Sequence, residues 1–103
     1  MIKAIQINSN QEIGVLDIDK PYLMSFHVRK ENGNLAGKLF VEFSNDESGF
    51  VRNSEFDADF VAADTDIFIE GINMAGRKAK LSIENVSGSS YVHVTGHTKG
   101  NEE

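Results

Sequence analysis

The sequence predicts an all-β protein: a single antiparallel β-sandwich, jelly-roll-like, of about seven or eight short strands. Three observations carry this. Segments 38–44 (KLFVEFS), 66–71 (DIFIEG), 78–85 (KAKLSIEN) and 91–95 (YVHVT) alternate apolar and polar residues with period two, as strands with one buried and one wet face do. Clusters of Asn, Asp, Gly and Ser separate them. No long helical period intervenes to build βαβ units. At 103 residues the chain is expected to form one domain, 1–96, with a flexible polar tail at 97–103 (HTKGNEE).

Ile2–Ile7 reads as a first strand with Ile5 and Ile7 on one face. In 12–18, Gly14, Leu16 and Ile18 alternate against Ile13, Val15 and Asp17, so aliphatics fall on both faces. That pattern suits a strand covered on two sides or lying in an interface. Pro21 cannot donate to a ladder and is placed at the entry of the next strand, 22–29. There Met24, Phe26 and Val28 face in, while Ser25, His27 and Arg29 face out. Asn32-Gly33 is the strongest turn signal and predicts a tight hairpin to a strand with Leu39, Val41 and Phe43 inward. After the polar loop 44–49, Phe50 and Val51 are expected to re-enter an apolar environment. Residues 52–66 read as a short strand and a loop, or as one helical turn near 59–63. Ile67 with Ile69, then Ala79, Leu81 and Ile83, then Val92 and Val94 form three further apolar faces.

Composition narrows the function classes. The formal net charge of −6 opposes attraction to a phosphate backbone, so no nucleic-acid partner is expected. The chain has no Cys, which removes disulfides, thiolate metal sites and thiol nucleophiles together. No segment approaches the ~20 apolar residues of a membrane-spanning helix, and 1–14 does not read as an export signal. The expectation is a soluble protein without a membrane partner.

Acids concentrate at Glu42, Asp46, Glu47, Glu55, Asp57, Asp59, Asp64, Asp66 and Glu70, with Arg52 the base among them. Asp57, Asp59, Asp64 and Asp66 are calcium candidates by oxygen chemistry, but their spacing departs from the EF-hand loop. A solvated acidic face or docking patch is the reading preferred, and no metal or cofactor is expected. A carboxylate pair for glycoside hydrolysis needs a deep cleft, for which a domain of this size without Trp is poorly equipped. His93 and His97 are four apart, about 13 Å on a strand, so with His27 they read as surface residues, not as a metal site. Ser, His and Asp occur without a G-x-S-x-G elbow, and no enzyme activity is expected. Asn85-Val86-Ser87 matches a glycosylation sequon but reads as a strand end. Arg77, Lys78 and Lys80 form a basic patch opposite in sign to 42–70, and in a head-to-tail oligomer the two would meet. Tyr22, Phe40, Phe68 and Tyr91 fall on the second side of their strands, either under a loop or as an apolar contact surface.

The order of elements has a further implication. A strand, the turn Ser44-Asn45-Asp46, Phe50, a strand, Arg77-x-x-x-Leu81, the turn Ser87-Gly88 and a last strand 89–96 follow in sequence. Over residues 22–96 this resembles the small β-sandwich virion proteins of tailed and other bacteriophages, with Phe50 where that pattern has Trp. The resemblance implies a virion accessory subunit, for capsid decoration or for tail or head connection. It would be made in the host cytoplasm and would act by repeated docking with itself or other virion proteins as a homo-oligomer or lattice-bound subunit. An apolar strand edge and the acidic span would supply the contacts. Two other readings stay open: a carbohydrate-binding module that holds a glycan with Tyr22, Tyr91 and nearby Asp and Asn, and an acidic inhibitor of a host factor using Asp57, Asp59 and Asp64.

Overall fold

The computed structural model describes residues 1–19, 23–31, 33–46, 48–61, 65–72 and 76–100. Among them lie nine strands: β1 (Ile2–Ile7), β2 (Gln11–Asp17), β3 (Leu23–Lys30), β4 (Ala36–Ser44), β5 (Val51–Arg52), β6 (Ala58–Phe60), β7 (Asp66–Ile72), β8 (Lys78–Ser87) and β9 (Ser90–Lys99). A 3₁₀ turn, Ser54–Phe56, separates β5 from β6. Sheet I has the order β1-β9-β3-β7, and sheet II has β2-β8-β4-β5 with β6 also on β4. Every described pairing is antiparallel. With β5 and β6 taken as one interrupted strand, this is jelly-roll topology, in which successive strands pass from one sheet to the other except from β4 to β5.

Period-two alternation explains the core. Met24, Phe26 and Val28 from β3, Leu39 and Val41 from β4, Ala79, Leu81 and Ile83 from β8, and Val92 and Val94 from β9 are buried between the sheets. Phe60 closes the layer from β6 and Ile69 from β7. Each large side chain contributes about 1.5–3 kcal/mol on burial, so the facing apolar stripes hold the sheets together.

Several expectations are corrected. The hairpin expected between β3 and β4 is not formed: β3 pairs with β7 and β9, β4 with β8, and the two lie in different sheets; Asn32 itself lies outside the described residues. The doubled aliphatic face of β2 comes from a bulge, because the register with β8 slips between Glu12 and Gly14. Ile13 and Leu16 are therefore both buried without a second cover. Val51 is 71% exposed instead of apolar-packed. The helical turn falls at Ser54–Phe56, where the Asn53 side chain accepts from the Glu55 N–H. β9 runs through His97 to Lys99, paired with β3, so a tail does not begin at residue 97.

Two crossovers meet at one rim. Gly88, with φ of 71°, lies against the Asn34 carbonyl; a Cβ there would sit 2.1 Å from that oxygen. Gly88→Ala therefore combines a left-handed backbone strain with a steric collision. It is expected to cost about 3 kcal/mol in urea unfolding, and an unchanged midpoint would contradict this packing.

Candidate functional site: the outer face of sheet I

The two outer faces of the sandwich differ in chemistry. On sheet II many of the charges pair with one another. The Arg52 guanidinium reaches Asp57 at 2.9 and 3.2 Å and Glu84 at 2.9 and 3.2 Å, and lies 4.1 Å above the Phe40 ring. Both carboxylates push the Arg52 pKa above its ordinary value, Glu84 first. Lys80 lies 3.7 Å from Glu42 and 4.3 Å above the Phe50 ring. Lys78 pairs with Asp17, and Lys38 approaches Asp59 at 3.9 Å. This pairing follows from register: Glu42 faces Lys80, and Asp17 faces Lys78.

Of the basic patch, Lys80 meets the acidic span within the chain, at Glu42, while Lys78 pairs with Asp17. Lys78, Lys80 and Asp57 are engaged with side chains of their own sandwich. Phe40 lies under Arg52 instead of forming a free contact surface. Arg77 is exposed beside them, its backbone N–H donating to the Ser44 carbonyl. The described calcium candidates, Asp57, Asp59 and Asp66, do not converge. Asp57 is held by Arg52, Asp59 extends from β6, and Asp66 lies on the other sheet, 3.8 Å from His27. Among the described residues no three His, Cys, Asp or Glu side chains form a metal-binding group. Tyr22 and Asp64 lie outside the described residues.

The Ser44-x-Asp46 turn is built as its residues suggest. Asp46 accepts from the Ser48 N–H at 3.0 Å and the Ser48 hydroxyl at 2.7 Å. These bonds hold its carboxyl below the ordinary value, led by the Ser48 N–H. The turn's ionic support is thus present above that value and is lost as pH falls through the folded one.

Sheet I presents a different surface. In cross-strand register, Phe68 of β7, His27 of β3, Thr95 of β9 and Ile2 of β1 form one row, and Asp66, Arg29, His93 and Ala4 form the next. Phe68 and His27 stack at 4.2 Å with planes 5° apart. Tyr91 meets His93 edge-on at 5.8 Å, and His93 Nε2 lies 2.7 Å from a Glu31 carboxylate oxygen. Ile2 is 90% exposed, Phe68 61% and Tyr91 41%. All three histidines lie on strands of this outer face, His97 included. Sequence reasoning found Phe68 and Tyr91 but missed Ile2. The missing signal was strand parity in β1: Ile2 alternates opposite to Ile5 and Ile7.

At one rim a cleft of about 360 Å³ opens between Met1, Leu16, Asp17, Asp19 and Gly96. Thr98 donates there to Asp19 at 2.7 Å. No described helix is long and apolar enough to cross a membrane. No protein-family model matches this chain, and no curated protein matches it in sequence.

The charge network yields one prediction. Arg52→Gln leaves Asp57 and Glu84 facing each other without their shared cation. The melting temperature is expected to fall, and to fall less in high salt, where the repulsion is screened. A variant that melts like the parent at low salt would show that Arg52 does not hold these acids.

Proposed function

We propose that this protein is a non-enzymatic docking subunit, a jelly-roll module of a virion-like assembly used in many copies, and that the outer face of sheet I is its contact surface. One observation supports this above the others. Ile2, Phe68 and Tyr91 are exposed on one face, whereas the ionic side chains of sheet II largely satisfy one another. A surface on which exposed apolar and aromatic groups alternate with a polar row, Arg29, Asp66 and His93 lying between Phe68 and Tyr91, has the mixed composition of a contact patch. The resemblance to small virion β-sandwich proteins supports repeated use, and jelly rolls serve in viral capsids and in lectins alike.

Glycan recognition is the second reading, favoured by one feature: aromatic Tyr91 and Phe68 stand beside polar His93, His27 and Thr95 on the same face. The inhibitor reading loses support because Asp57 is held by Arg52.

Light scattering and negative-stain microscopy of concentrated protein test the proposal. Ordered multimers are expected, and Tyr91→Glu should remove them while leaving the far-ultraviolet circular dichroism of the sandwich unchanged. Glycan-array binding that disappears in Tyr91→Ala, without any self-assembly of the parent protein, would contradict the docking reading and assign the face to sugars.

A further inference from the structure

The edges of the two sheets are not treated alike. Native sheets avoid edge-to-edge pairing by keeping edge strands short, by bulging them, or by placing charged residues, Lys above all, on them. β2 is bulged at Ile13, β5 and β6 are pieces of two and three residues, and β1 carries Lys3. β7 is neither short nor bulged, and its only charges are the carboxylates of Asp66 and Glu70. It is seven residues long (DIFIEGI), keeps unbroken register with β3 from Asp66 to Ile72, and contains no Lys or Pro. No described strand pairs with its other side.

The direction of its free backbone groups can be read from the ladder. The Lys30 N–H donates to the Thr65 carbonyl at 2.9 Å, so Thr65 belongs to a hydrogen-bonded pair with β3. In an antiparallel ladder, bonded and non-bonded pairs alternate. Ile67, Ile69 and Gly71 therefore direct their backbone groups to β3, while Asp66, Phe68, Glu70 and Ile72 direct theirs to the open edge.

Two copies of β7 that pair antiparallel about a two-fold axis must choose a register, and charge makes the choice. An axis at Phe68 sets Asp66 opposite Glu70 of the partner subunit, and an axis at Glu70 sets that carboxylate against its own symmetry mate. Like charges directly opposite are destabilising. An axis at Ile69 sets no like charges directly opposite, leaving Asp66 only diagonal to Glu70 of the partner subunit, and pairs every outward-directed residue of the strand. Asp66 then faces Ile72 of the partner subunit, and Phe68 faces Glu70 of the partner subunit. On the core side, Ile67 meets Gly71 of the partner subunit, bulk against no side chain.

We propose that this chain forms a two-fold dimer through β7, centred on Ile69, which joins sheet I of each copy into one continuous sheet. The inference rests on the docking reading and names its first partner, a second copy of the chain. Joining the sheets also doubles the open face that carries Phe68, His27 and Tyr91.

Sedimentation velocity of the full chain from micromolar to near-millimolar concentration tests it, with two substitutions at one position. Phe68→Glu puts a carboxylate opposite Glu70 of the partner subunit at both symmetric places; Phe68→Lys puts an ammonium there. Both variants lose the same stack on His27, so the comparison cancels that loss, and circular dichroism checks that each is folded. The parent is expected to sediment at twice its 11.4 kDa chain mass. Phe68→Glu should weaken the dimer by about tenfold or more, and Phe68→Lys should retain it within about threefold. A parent that stays monomeric throughout, or a dimer indifferent to the sign of the charge at residue 68, would overturn the β7 pairing. The docking reading would be judged apart from this result, by the Tyr91 substitutions and the glycan array.

Discussion

The sandwich is pinned at one rim by a buried ammonium group. Lys30, 6% exposed at the end of β3, donates from Nζ to the Leu35 carbonyl at 2.9 Å and the Val61 carbonyl at 2.8 Å, and lies 4.4 Å above the Phe60 ring. These contacts join sheet I to the entry of β4 and the exit of β6, both in sheet II. Burying a cation is costly, and the cost is offset only when its protons find acceptors. Here two of the acceptors are backbone carbonyls at crossovers. The 31–35 crossover also receives Gly88 from the β8–β9 crossover, so the chain passes from sheet to sheet around one polar anchor. Facing apolar stripes would hold the layers together but would tolerate sliding. The directional bonds of Lys30 set how one sheet lies over the other.

A fixed relation between the sheets gives each outer face its character. On sheet II, cross-strand register brings acids opposite bases, and Arg52 bridges Asp57 and Glu84 over the Phe40 ring. Individually such exposed pairs contribute little, roughly 0–1 kcal/mol. Collectively they leave that face with few unmet charges to steer a partner. Sheet I carries Phe68, Tyr91 and its three imidazoles outward and ends in an edge strand whose outer side no described strand pairs. The asymmetry is the physical basis for assigning docking to sheet I.

The sequence made much of this legible, and the failures have identifiable causes. β4, β8 and β9 alternate cleanly because one face of each is buried against the opposite sheet, so Leu39, Leu81 and Val92 were found as core residues. Asn32-Gly33 was misread because turn chemistry shows that the chain reverses, not which strand it then joins. The bulge at Ile13 was hidden because one inserted residue looks the same as burial on both faces. Lys30 was missed because charged residues are expected outside. Its position was nonetheless readable: Met24, Phe26, Val28 and Lys30 share one parity. Among the proposed contact residues, types were visible but partners were not. Nothing in the sequence shows that Arg52 would cover Phe40 while Phe68 stays open, since residues distant in sequence meet there only through the crossovers.

The claim that a buried ammonium pins the two sheets is tested most directly by urea unfolding of Lys30→Met beside the parent protein. Methionine replaces the volume of the stem but donates nothing to the Leu35 and Val61 carbonyls. The account predicts a loss of about 3 kcal/mol, the cost of removing two hydrogen bonds made by a charged donor. Stability equal to or above that of the parent would contradict it, and would show that apolar packing alone holds the sheets in place.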